Sequence, residues 1–265
     1  VPNTGVGASA LRCVIGALER MRTPAAIPLL IEGLKSADVV ARIQAARALG
    51  TVIGATGEKA RAAVKAILEA AANAYYEVSV PAYTALWRFA DEADAAKLVG
   101  LLKSRNSRDL AVPLLCAFCN EAEVPLLLKA LKDPKTDAAH RRIVYVLLAA
   151  TGSPKARDAL LKATKELGDD EAVMRRLVMG LGAIAGADVT KALVGLAAES
   201  RHTAVKKCAL EALAWRGEKG LVEAVEKALK ANVSPPKVAI EALGKMLPDK
   251  KVLRVLLAVY EKEGL

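Results

Sequence analysis

"ARIQAARALGTVIG", residues 41–54, carries paired alanines at Ala45 and Ala46 and closes on Leu49-Gly50 and Ile53-Gly54. Its apolar residues recur at helical spacing, and one side of the helix is lined by small residues. Small residues let a second backbone come close. Glycine past the last turn supplies the left-handed cap that ends a helix before the next begins. A helix built this way reads as one rung of a stack.

Working outward from Leu49, equivalents stand at Leu18, Leu86, Leu115, Leu147, Leu181, Leu213 and Leu243, with successive spacings of 31, 37, 29, 32, 34, 32 and 30 residues. Self-similarity at such a period is the signature of a repeat protein. After the first, each of these helices is preceded by another apolar segment: 26–34, 63–71, 95–102, 123–131, 156–163, 189–197 and 221–229, with a last one at 251–260. Short polar turns separate them, among them "SAD" (36–38), "DPKTD" (133–137), "GDDE" (168–171) and "NVSPP" (232–236). One helix pair cannot bury both apolar faces, so neighbours must stack, each repeat touching only the next.

The stretch "IPLLIEGLKSADVVARIQAARALGTVIG" resembles a HEAT repeat of the short bacterial kind also seen in phycobilisome-lyase-like proteins, and the resemblance extends over essentially the whole chain. It implies an all-α, armadillo-like solenoid: a right-handed α-α superhelix of about seven helix pairs, with second helices lining the concave surface. The arginine that the family places near the start of the second helix is present as Arg42 and Arg108. Leu11, Ser79, His140, Met174, Lys206 and Pro236 stand there in the other repeats, so the polar ladder is expected to be incomplete. The pattern runs through 104–108 and 133–137, the two candidate breaks, and residues 1–265 are read as one solenoid domain.

Composition agrees with helices. Apolar residues make up 54% of the 265 and aromatics only 3%, so the core is aliphatic. No sustained period-two alternation supports strands, and no sustained heptad supports a coiled coil. The longest apolar runs fall well short of the ~20 residues that span a bilayer, so no membrane insertion is expected. Cys116 and Cys119 form a C-x-x-C with no second pair or histidine pair to complete a zinc set. With Cys13 and Cys208 they read as small buried thiols of a reduced, cytoplasmic protein. The chain begins at Val1 without methionine; a leader or preceding domain removed from a longer parent is one reading of that start.

Net charge is +10; the first 133 residues carry 16 basic and 13 acidic side chains, the remainder 23 and 16. Counting from the Arg42 slot as zero, apolar residues recur at −1, +3, +4, +7 and +10, which leaves +1, +5 and +9 on the open side. In four successive repeats the +1 slot holds Arg141, Arg175, Lys207 and Lys237. Packed helices lie ~8–10 Å apart, so these cations form a row. Tyr145, Met179 and Trp215 belong to the same stripe. The expected function is a non-catalytic scaffold whose groove takes an acidic or extended protein segment, with arginine and tryptophan as anchors.

Binding of nucleic-acid backbone through the same basic row is the alternative, although Glu211 and Glu241 interrupt it and aromatic platforms are few. A HEAT-like DNA glycosylase is a remoter one, since Asp109 has no aromatic on its helix face. His140 and His202 lie two repeats apart, and "GVGASA" (5–10) lacks the lysine of a phosphate loop. No catalytic set, metal site or cofactor is expected. The terminal segments 11–18 and 252–260 are strongly apolar; they suit a chain cut from a longer solenoid or an end that packs on a second copy.

Overall fold

Sixteen α-helices and no strand occur among the described residues, which in this computed structural model are 5–72, 75–103, 108–217 and 220–263. Their contacts divide into two compact units, residues 1–119 and 120–265. Unit 1 holds α1 (Gly5–Met21), α2 (Ile27–Leu34), α3 (Val39–Thr51), α4 (Gly57–Ala71), α5 (Tyr76–Phe89), α6 (Ala95–Leu101) and α7 (Arg108–Phe118). Unit 2 holds α8 (Val124–Lys132), α9 (Ala138–Thr151), α10 (Arg157–Glu166), α11 (Glu171–Gly182), α12 (Ala187–Glu199), α13 (Thr203–Arg216), α14 (Gly220–Lys230), α15 (Lys237–Gly244) and α16 (Lys250–Glu263).

Packing follows chain order. Each even-numbered helix from α2 to α14 packs on its successor, and helices two apart also touch: α1 on α3 and α3 on α5 in unit 1, α9 on α11, α11 on α13 and α13 on α15 in unit 2. The even-numbered helices form matching contacts, as α12 does with α14 and α14 with α16. All eight leucines of the repeat series, Leu18 to Leu243, are buried, one on each odd-numbered helix. That shared environment is what a recurring leucine at a fixed helical position requires.

The polar turns are helix caps. Asp38, Asp137 and Asp170, from the "SAD", "DPKTD" and "GDDE" turns, each accept a hydrogen bond from a backbone N–H in the first turn of α3, α9 and α11. A carboxylate there satisfies one of the orphan donors of the helix start and suits its dipole. Thr23, Asp91, Asn120 and Ser153 similarly cap single 3₁₀ turns that lead into α2, α6, α8 and α10.

The two glycines of the opening stretch differ: Gly54, past the end of α3, is left-handed (φ 73°), as expected of a glycine beyond the last turn, whereas Gly50 is not. Helix α3 runs through Gly50 to Thr51 and ends at Val52 in extended conformation, so Gly50 is not a cap. It lies where α3 packs on α5, and a Cβ there would sit 3.6 Å from the Ala85 Cα, an ordinary contact distance. Left-handed glycine caps do occur, at Gly152 after α9 and Gly217 after α13.

The slot-zero arginines have a definite task. Arg42 Nη1 donates to the Ser36 carbonyl at 2.6 Å, and Arg108 Nε to the Leu102 carbonyl at 2.8 Å. Both acceptors lie just past the end of the preceding helix, where carbonyls lack intrahelical donors. Where His140 occupies the slot, Thr136 Oγ1 donates to the Ala130 carbonyl (2.7 Å) and Arg141 Nε to the Thr136 carbonyl (3.2 Å). The same need is thus met by different residues.

No helix among the described residues is long and apolar enough to cross a membrane. Cys13 is exposed rather than buried, and Cys116, Cys119 and Cys208 are half-buried. On α1, Val14 and Met21 face solvent, as do Leu253, Leu257 and Tyr260 on α16, while Val252, Val255 and Val259 of α16 are buried.

Candidate functional site

The odd-numbered helices of unit 2 carry the predicted face. Helices α9 and α11 meet at Gly180, where a Cβ would fall 2.6 Å from the Ala149 Cα; α11 and α13 meet at Gly182, 3.0 Å from the Ala212 Cβ. Such approaches need glycine or alanine on both sides. They bring residues of equal register on adjacent helices to roughly the 8–10 Å of close-packed helix axes.

Across this face the four +1 cations differ. Arg175 on α11 and Lys207 on α13 are exposed and make no ion pair with a described residue. Lys237 on α15 is exposed and lies 3.5 Å from Glu241 one turn on, a pair that solvent screens. Arg141 is half-buried, and its Nε donates to the Thr136 carbonyl in the turn before α9. Arg142, its neighbour, reaches the α11 cap at Asp170 (3.5 Å).

Two exposed apolar side chains lie further along the same helices, Met179 on α11 and Trp215 on α13. Trp215 is 83% exposed and Met179 66%. Exposure on this scale gives no folding benefit from a large apolar group.

Tyr145 does not join them. It is buried, with its hydroxyl donating to Glu166 Oε2 at 3.2 Å across to the last turn of α10. Burial first, and then the Glu166 carboxylate, push the phenol above its ordinary pKa. Ala149, expected on the open stripe too, is buried because Gly180 lets α11 settle directly on it. The remaining stripe residues are exposed or half-buried.

Arg176 was not among the predicted residues. It is exposed on α11, pairs with no described acid, and borders a hollow of about 250 Å³ together with Met179. Its +2 position is neither apolar nor on the predicted stripe, so periodicity alone passes over it. Unit 1 holds a comparable hollow of about 350 Å³ between α3 and α5, lined by Arg47, Gly50, Thr51, Val80, Pro81 and Thr84.

The two histidines lie apart, His140 in α9 and His202 just before α13. His140 is buried and its backbone N–H donates to Asp137 Oδ1; His202 stands at the N-terminal end of α13 without a side-chain cap bond, its Nδ1 3.3 Å from Glu171 Oε2. Among the described residues no three His, Cys, Asp or Glu side chains gather as a metal-binding group. Asp109 is exposed.

No protein-family profile and no curated protein matches this chain. Among solved structures, the crystal structure of an engineered protein from the Northeast Structural Genomics Consortium is 22% identical over 96% of this chain and 70% of its own, with a TM-score of 0.47. A second engineered protein from the same consortium is 21% identical over 88% of this chain and 94% of its own, with a TM-score of 0.30.

Proposed function

We propose that unit 2 is a HEAT-like stack acting as a protein-binding scaffold, and that its α9–α11–α13–α15 face receives an acidic, extended segment of a partner protein. The observation that carries this reading is the grouping on α11 and α13. Arg175 and Lys207 hold the same register on packed helices without acidic partners, with the exposed Met179 and Trp215 further along the same helices. Unpaired cations suit carboxylates, and an exposed tryptophan and methionine supply apolar contact that charge alone does not.

Nucleic acid would be attracted by the same cations, but by phosphate charge rather than by apolar anchors. The two readings therefore differ in their response to salt and to Trp215. The test is fluorescence anisotropy with acidic peptides and with random-sequence duplex DNA across a salt series. The double reversal Arg175→Glu with Lys207→Glu weakens acidic-peptide binding by at least about tenfold. Unchanged peptide affinity would remove this face from consideration. Tight duplex binding with a steep salt slope, unaffected by Trp215→Ala, would favour nucleic acid.

A further inference from the structure

The hollow between α9 and α11 is not explained by charge. Its volume is about 250 Å³, with the buried Ala149 and Gly180 as floor, Val146 as a half-buried wall, and Ala150, Met179 and Arg176 exposed at the mouth. Small-molecule sites usually enclose ~300–1,000 Å³, so this hollow matches one side chain rather than a whole ligand. Gly180 and Ala149 meet at the base of the hollow, where a Cβ on Gly180 would lie 2.7 Å from the Ala149 Cβ.

Charge complementarity states what would enter. No carboxylate lines the hollow, and Arg175 and Arg176, consecutive on α11, pair with no described acid. An apolar depression with an unpaired guanidinium at its lip matches an apolar side chain whose neighbour in sequence is acidic. We propose that this pocket seats one aliphatic or aromatic side chain of the partner's acidic segment, and that Arg176 takes the adjacent carboxylate. The proposal rests on the reading of this face as protein-binding and adds the partner's local chemistry: an aspartate or glutamate beside a leucine-sized or larger apolar residue.

Selection of short random peptides displayed against the full chain tests it. Enriched peptides carry Leu, Ile, Met or Phe next to Asp or Glu. Replacing that apolar residue by serine in a synthetic copy weakens binding by about tenfold. The variant Ala150→Phe, made at an exposed position, fills the mouth and abolishes the difference between the two peptides. Arg176→Gln leaves the apolar walls intact, so it keeps the test open if Ala150→Phe folds poorly. It weakens the acid-bearing peptide about fivefold and has no effect on a copy with glutamine in place of that acid. Enriched peptides that are acidic but have no apolar requirement, or that bind Ala150→Phe and Arg176→Gln as well as the parent, overturn the pocket and leave the basic face standing. Failure to enrich any acidic peptide overturns the face and the pocket together.

Discussion

Arg12 on α1 grips the cap of α3: its Nε and Nη2 lie 2.6 and 2.9 Å from the two carboxylate oxygens of Asp38. Asp38 at the same time accepts the Val40 backbone N–H. One carboxylate thus ends a helix and joins it to its neighbour. The hydrogen bond from Arg12 is the main reason that the Asp38 pKa is lowered and that of Arg12 is raised. A carboxylate with a lowered folded-state pKa contributes stability that is fully present above its unfolded value of ~3.9 and lost as pH falls through the folded value. Asp38→Asn should lower the thermal midpoint at pH 7. Its midpoint should also fall less than that of the parent between about pH 4 and pH 2. Parallel acid limbs for the two proteins would show that this pair does not couple to protonation.

Gly180 and Gly195 separate two reasons for glycine in a helix. At Gly180 of α11 a Cβ would meet the backbone of Ala149, which cannot move as a side-chain tip can. Gly180→Ala should destabilise by about 1–3 kcal/mol through overpacking. At Gly195 of α12 nothing lies within 4 Å of the added carbon. Gly195→Ala should stabilise by about 0.5–1 kcal/mol through the lost freedom of the unfolded chain. Denaturant unfolding of both variants checks the opposite signs.

Trp215→Ala and Leu147→Ala should trade effects. Leu147 is fully buried on α9, and its truncation costs about 2–5 kcal/mol. Trp215 is nearly bare, so its removal should change stability by less than about 0.5 kcal/mol. If Trp215 is an anchor, the same substitution weakens peptide binding by about 2 kcal/mol. A large stability loss at Trp215 would assign it to packing instead.

Arg108→Ala should cost about 1.5–3 kcal/mol, because a buried guanidinium that donates to the Leu102 carbonyl is removed. Arg108→Lys should recover only part of it, since an ammonium lacks the planar fork that fixes the donor direction. Chemical denaturation of the three proteins measures both steps. Full recovery by lysine would indicate that charge alone matters at this position.

The leucine series was legible from sequence because burial on every rung leaves a one-letter trace at a fixed interval. The open stripe was legible at Arg175, Met179, Lys207 and Trp215, which all stay exposed. Periodicity fails at Tyr145 and Ala149 because it assigns exposure from one helix alone. It contains no record of how near the next helix comes, and Gly180 sets that distance from a position 31 residues beyond Ala149. Gly50 was misread because a glycine near a helix end does not reveal whether the helix has stopped, and α3 runs on to Thr51. Arg141 looked like its +1 counterparts, yet its Nε donates to the Thr136 carbonyl of the preceding turn.

Helix α13 touches α11, α12, α14 and α15. The indole it carries therefore stands on a strut braced from four sides, and little of the mount's own motion is left to be frozen when something docks there. Slow backbone amide exchange along Thr203–Arg216, set beside a freely turning ring at its tip, is the dynamic signature of that bracing.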